Sequence, residues 1–124
     1  MVDTLGLIWA LVVTPASVQD AEGAKAALTE FRRRVKFPKI IWVDAAYRAV
    51  VSWAWVCWLW TLEVVSGPKG QTGFVVQPKR WIVERTFGWL NRSRRLAKDY
   101  ERTIHSSEAF VKVAMIHLMV RRLR

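Results

Sequence analysis

The stretch Ile40-Ile41-Trp42-Val43-Asp44, followed at once by Ala45 to Trp58 and then by Trp60 to Val65, decides the fold class. Ile40 to Val43 is an unbroken apolar run, the pattern of a strand buried on both faces of a helix-covered sheet. Ala45 to Trp58 has helical length, and Trp60 to Val65 reads as a second buried strand. Strand, helix, strand is the repeating unit of a layered α/β fold.

Working upstream, Pro38 breaks the pattern before that strand, and a helix is expected from Asp20 to Arg34. Asp20 suits its N-cap, Glu22 its first turn, and Arg32, Arg33 and Arg34 the end where the macrodipole favours cations. Leu7 to Thr14 reads as a short strand ended by Pro15, and Asp3-Thr4-Leu5-Gly6 before it as a turn, so that the chain opens inside a hairpin. Working downstream, Ser66 to Gly73 is a Gly-rich loop without the Gly-Lys-Ser/Thr ending of a phosphate-binding loop. Pro78 suits the first turn of a helix reaching about Leu96. A final helix is expected from about Ser107 to Arg122, with Ser106 as its cap.

Composition narrows the classes. A chain of 124 residues holds one domain, an apolar fraction of 52% excludes a disordered tail, and 24% charged residues exclude a polytopic membrane protein. The single cysteine, Cys57, excludes an internal disulfide and a cysteine-only metal site, and its apolar surroundings predict a buried small hydrophobe. The apolar run Ala49 to Trp60, with Trp53, Trp55, Trp58 and Trp60, is too short to span a bilayer, which takes about 20 residues. It reads as a helix packed in a core or against a partner. Leu5 to Val13 lacks the basic flank and cleavage pattern of a secretion signal.

The net charge of +10 is unevenly placed. Met1 to Asp44 carries six bases and five acids, whereas Lys79 to Arg124 carries twelve bases and four acids. That excess points to a phosphate-contacting face and a nucleic-acid partner.

Two acids stand out by position. Asp44 closes a buried strand, at the sheet edge where open α/β folds bind ligands, and is equally placed to cap the helix that follows. Glu84 shares a stripe of its helix with Arg80, Gly88, Asn91 and Arg95, while Val83, Phe87 and Leu90 form the expected packing stripe. A carboxylate so flanked is either an i,i+4 ion-pair partner or a ligand for a hard divalent cation beside phosphate-binding arginines. His105 and His117 have no acidic or cysteine partner at ligand spacing and read as surface or packing residues. Glu30, Glu63 and Glu108 read as solvated.

The segment Arg80-Trp81-Ile82-Val83-Glu84-Arg85-Thr86-Phe87-Gly88-Trp89-Leu90 resembles the glutamate signature of DDE transposases of bacterial insertion sequences, in the insertion-sequence-five branch of the insertion-sequence-four-like group. Arg94 to Glu101 and Ala114 to Leu123 are similar to that branch as well. Val2 to Gly6 and Thr14 to Asp20 resemble its hairpin turn and the entry to its first helix, and Ile41-Trp42-Val43-Asp44 the strand bearing its second aspartate. The resemblance runs in order along essentially the whole chain.

It implies a ribonuclease-H-like α/β fold, a mixed sheet with flanking helices and C-terminal helices, here partial, with the first strand missing. Residues 1–124 would be a single domain, the C-terminal portion of a DDE catalytic domain. It further implies metal-dependent nicking and strand transfer at three carboxylates, with Asp44 the second catalytic metal ligand and Glu84 the third, holding Mg2+ or Mn2+. Arg80 would hold the DNA end, with Arg85, Asn91, Arg92, Arg94, Arg95 and Lys98 as further DNA contacts.

This chain has Gln77 where the wider group has tyrosine, Asn91 where it has lysine, and Ala46-Tyr47 where the branch has Gly-Tyr. No residue matches the first catalytic aspartate, Asp3 corresponding to the turn. The expectation is therefore an incomplete enzyme, inactive alone, with transposon-end DNA as partner and a homo-oligomer or full-length transposase as a further one. A non-enzymatic basic DNA-binding module derived from such an enzyme is the alternative. The expected setting is the bacterial cytoplasm, associated with the nucleoid, and not a membrane.

Overall fold

The computed structural model describes residues 1–65 and 78–123. Its elements are α1 (Asp20–Arg32), β1 (Ile41–Asp44), α2 (Ala49–Trp58), β2 (Leu62–Val65), α3 (Pro78–Leu90) and α4 (Ile104–Arg122), with 3-10 turns at Ala45–Tyr47 and Arg94–Leu96. β1 and β2 pair in parallel, with Ile41 opposite Leu62 and Asp44 opposite Val65. The α2 crossover between them is what a parallel pair requires.

Alternation along the strands sorts their side chains. Ile41 and Leu62 are buried in a core with Leu28 of α1, Val50 and Ala54 of α2, and Trp60. Trp60 packs edge-on to Phe31 at 5.7 Å and lies 4.8 Å from Trp58, which in turn meets Trp53 at 4.8 Å. Its indole N–H donates to the Lys36 carbonyl at 3.0 Å, so the largest core residue leaves no polar atom orphaned. The tryptophan run is thus a core and its rim. Among the described residues no helix is long and apolar enough to cross a membrane.

α2 ends through Leu59, whose φ of 57° is left-handed. That turn lets the Leu59 N–H donate to the Trp55 carbonyl at 2.8 Å and the Trp60 N–H to the Ala54 carbonyl at 3.4 Å. Glycine normally fills this position, because a Cβ is strained there. Leu59 holds it while lying exposed, so the residue is used for its backbone and not its side chain.

The second half packs by other means. α3 buries Thr86, 2% exposed, and Leu90. The Thr86 hydroxyl lies 2.9 Å from the Gly6 carbonyl and 3.0 Å from that of Ile82, and so can donate to either. Gly6 has a φ of +82°, and a Cβ there would meet Thr86 Oγ1 and the Trp89 ring, each at 2.8 Å. The turn Asp3–Gly6 is held by its own aspartate, since Asp3 Oδ1 accepts from the N–H groups of Leu5 and Leu7, each at 2.9 Å. On α4, Met115 is the buried residue.

Several expectations are corrected. Leu7 to Thr14 makes no strand, and only an isolated bridge joins Val2 to Ile8. Its backbone finds side chains in place of a ladder: Arg34 donates to the Trp9 carbonyl, and Glu108 accepts from the Val13 N–H at 3.1 Å. These contacts draw the segment toward α1 and α4 and pair one carbonyl and one N–H of its backbone. The expected mixed sheet is accordingly a two-stranded parallel one among the described residues.

α3 stops at Leu90, short of Leu96, and its buried stripe runs through Thr86 and Leu90; Phe87 is 61% exposed and Val83 is exposed as well. α1 is preceded by Gln19, with Asp20 already helical, and ends at Arg32. α4 starts at Ile104, capped by the Thr103 hydroxyl, which accepts from the Ser106 N–H at 3.2 Å. Cys57 lies on the exposed face of α2 and not in the core. Of the three glutamates read as solvated, Glu63 is exposed while bonding Trp42, whereas Glu30, paired with Arg33 and Arg34, and Glu108 are only partly exposed. The loop Ser66–Gly73 lies outside the described residues.

Candidate metal and nucleic-acid site

Ile41 turns into the core, so period-two alternation places Trp42 and Asp44 on the opposite, open face of β1. Glu63 pairs with Trp42 across the sheet, and the Trp42 indole N–H donates to Glu63 Oε2 at 2.9 Å. Lys79 of α3 comes down on this pair, its Nζ 3.8 Å from Glu63 Oε2 and 4.2 Å from the centre of the Trp42 ring. These three residues anchor the first turn of α3 to the open face of the sheet.

The next residue is Arg80. Its Nη1 lies 3.9 Å from Asp44 Oδ2, and its Nε donates to Glu84 Oε1 at 3.2 Å. One guanidinium therefore joins two carboxylates forty positions apart in sequence, one from the strand end and one from the helix. All three side chains are about half exposed. Asp44 also caps the 3-10 turn after it, with Oδ1 accepting from the Ala45 N–H at 2.6 Å. The capping and sheet-edge readings of Asp44 thus describe the same residue, each oxygen facing a different partner.

The remaining expected DNA contacts separate into two groups. Asn91, Arg92 and Arg94 are exposed just beyond the end of α3. Lys98 is exposed as well and lies 5.9 Å from the Tyr100 ring. Arg85 and Arg95 both make contacts within the protein, although the Arg95 side chain stays 55% exposed. Arg85 lies between Trp81 and Trp89, 4.7 Å from each ring, with its Nε buried and unpartnered. Arg95 puts Nε and Nη2 on Glu101 Oε1, at 2.9 and 2.7 Å, and its guanidinium over Phe110 at 4.8 Å. Arg122 covers Trp89 at 4.2 Å, which ties α4 to α3.

The Asp44–Glu84 pair offers hard carboxylate oxygens in a solvated setting, a donor set that suits Mg2+ or Mn2+ with water completing the shell. Among the described residues no group of three or more His, Cys, Asp or Glu side chains converges on one point, and Asp44 and Glu84 are linked through the Arg80 guanidinium between them. A cavity of about 460 Å3 beside α2, lined by Arg48, Ser52, Trp55 and Val56 among others, does not include either carboxylate.

Lys79, Trp42 and Glu63 carry no local signal in the sequence. Their grouping needs the register of two parallel strands, which aligning Ile41-Trp42-Val43-Asp44 with Leu62-Glu63-Val64-Val65 would have supplied. Thr86 and Gly6, eighty positions apart, meet only through the packing of the turn on α3.

No curated protein and no solved structure matches the chain. A family model does, over residues 1–119, and its description is that of a transposase DDE domain. That match spans the turn, the strand ending in Asp44 and the helix carrying Glu84, so the chain belongs to the transposase DDE domain family.

Proposed function

We propose that Asp44 and Glu84 are two metal-binding carboxylates of a DNA strand-cutting and strand-joining domain, and that Arg80 binds the DNA end beside them. The observation that carries this reading is the single Arg80 guanidinium within ion-pair distance of both carboxylates. A strand end and a helix face far apart in sequence supply acids to one exposed spot, next to the most basic part of the chain. In finer terms the domain is a partial ribonuclease-H-like fold of the insertion-sequence-five branch.

A Mg2+ or Mn2+ at this pair would activate a water, or a DNA 3′-hydroxyl, for attack on a phosphodiester. The protein's own work is to position. Ala45 N–H fixes the Asp44 carboxylate, and Lys79, held by Trp42 and Glu63, fixes the start of α3 and so the direction of Arg80 and Glu84. Exposed Arg92, Arg94 and Lys98 add phosphate contacts. The third carboxylate lies outside the residues gathered here, a full-length transposase is the partner that would carry it, and strand cutting by this chain alone is correspondingly feeble.

The test is a Mn2+ titration by calorimetry of the wild type, Asp44→Asn and Glu84→Gln, with plasmid nicking alongside. Weak Mn2+ uptake lost in either variant, with slight or absent nicking, is expected. Equal uptake in all three proteins would sink the assignment. The charge excess of Lys79 to Arg124 favours a second reading, a DNA-binding module without chemistry. It predicts salt-sensitive DNA affinity indifferent to divalent cations.

A further inference from the structure

We infer that Arg80 is a resident counter-cation that trades places with the metal: it neutralises the Asp44–Glu84 pair until a divalent cation takes those oxygens, and is then released onto a DNA phosphate. This rests on the reading of Asp44 and Glu84 as metal ligands. The two carboxylates repel each other, and among the described residues Arg80 is the cation within ion-pair distance of either one. Its neighbours cannot take over. Lys79 is committed to Glu63 and the Trp42 ring, and Arg85 to the Trp81 and Trp89 rings.

A guanidinium and a metal ion then compete for the same oxygens. Arg80 is tethered one helical turn before Glu84, so displacement leaves its charge beside the site. There it meets the anion that the metal also attracts. Metal and DNA consequently bind with positive coupling, and each strengthens the other by the same factor. An arginine serving only as a DNA contact gives no such coupling, because its contribution is the same with or without metal.

Arg80→Gln separates the two cases. Calorimetry without DNA should show Mn2+ binding tightened by at least about threefold, because a like charge beside the ion has gone. Fluorescence anisotropy with a labelled duplex, run in EDTA and in Ca2+, should show a small loss of DNA affinity in EDTA, about twofold or less, and about fivefold or more in Ca2+. Arg80→Lys, which keeps the charge without the fork, should fall between wild type and Arg80→Gln for Mn2+, and guards against a folding defect in the first variant. Unchanged Mn2+ affinity, with equal DNA losses in EDTA and Ca2+, would overturn the inference and make Arg80 a plain phosphate contact. No Mn2+ binding by wild type or variant, by contrast, would be a failure of the ligand assignment itself.

Discussion

The half of the molecule built from α1, β1, α2 and β2 and the half built from α3 and α4 are held by different physics. The first buries Leu28, Ile41, Val50, Ala54, Trp60 and Leu62 in one apolar cluster. The second has few fully buried apolar residues and relies on arginines stacked on Trp81, Trp89 and Phe110 and on a buried threonine. The candidate site sits on the seam, with Asp44 contributed by the first half and Arg80 and Glu84 by the second. The lesson is a division of labour, in which an apolar-packed layer presents one carboxylate and a helix packed largely by polar and aromatic contacts presents the other.

If that contrast is right, the largest loss comes from the first half. Trp60→Ala should cost about 3–5 kcal/mol, read as a fall in the urea midpoint, and should remove the folded state of so small a domain altogether or nearly so. A loss under about 1 kcal/mol would mean that the aromatic cluster does not carry the fold.

Gly6→Ala comes next, at roughly 2 kcal/mol, since it adds both a left-handed strain and a collision with Thr86 and Trp89. Its effect should fall on the α3 half, seen as faster amide exchange in residues 80–90 with the β1–β2 amides unchanged. Uniform loosening of both halves would break the comparison.

Thr86→Val keeps the shape and deletes the hydroxyl within donating reach of the Gly6 and Ile82 carbonyls, for about 1–2 kcal/mol. Amide exchange confined to α3 and the Asp3–Gly6 turn would sharpen the division. The smallest effect has the opposite sign. Leu59→Gly relieves a left-handed Cβ on an exposed side chain and should raise the urea midpoint by the equivalent of about 0.5–1 kcal/mol.

The two halves also differed in how readily the sequence disclosed them. The core half was legible because its signals are local: the Ile40–Val43 run gave β1, and Asp44 at its end was visible as a site candidate by position alone. Glu84 and Arg80 were likewise readable from helical spacing, whose i,i+4 contact is the ion pair observed. Leu7 to Thr14 misled because an apolar, β-branched run states only that it will be buried, not that a neighbouring strand will pair with it. Arg34 and Glu108, remote in sequence, each make one bond with that backbone, and Met1 makes others. Arg85 and Arg95 add contacts that charge alone does not announce: a guanidinium stacks on aromatic faces as readily as it binds phosphate, and Trp81, Trp89 and Phe110 are within reach. Cys57 was misplaced because an apolar run has no stripe to tell its inner from its outer face.

The two-stranded parallel sheet carries a liability. Among the described residues each strand has one strand neighbour, so the outer backbone rows of Ile41–Asp44 and Leu62–Val65 enter no further ladder there, although Ile41 and Leu62 themselves are buried. Such rows adhere to any extended polypeptide that comes alongside. Concentrated preparations should therefore drift toward self-association through these strands rather than through the arginine-rich helices, whose like charges push copies apart.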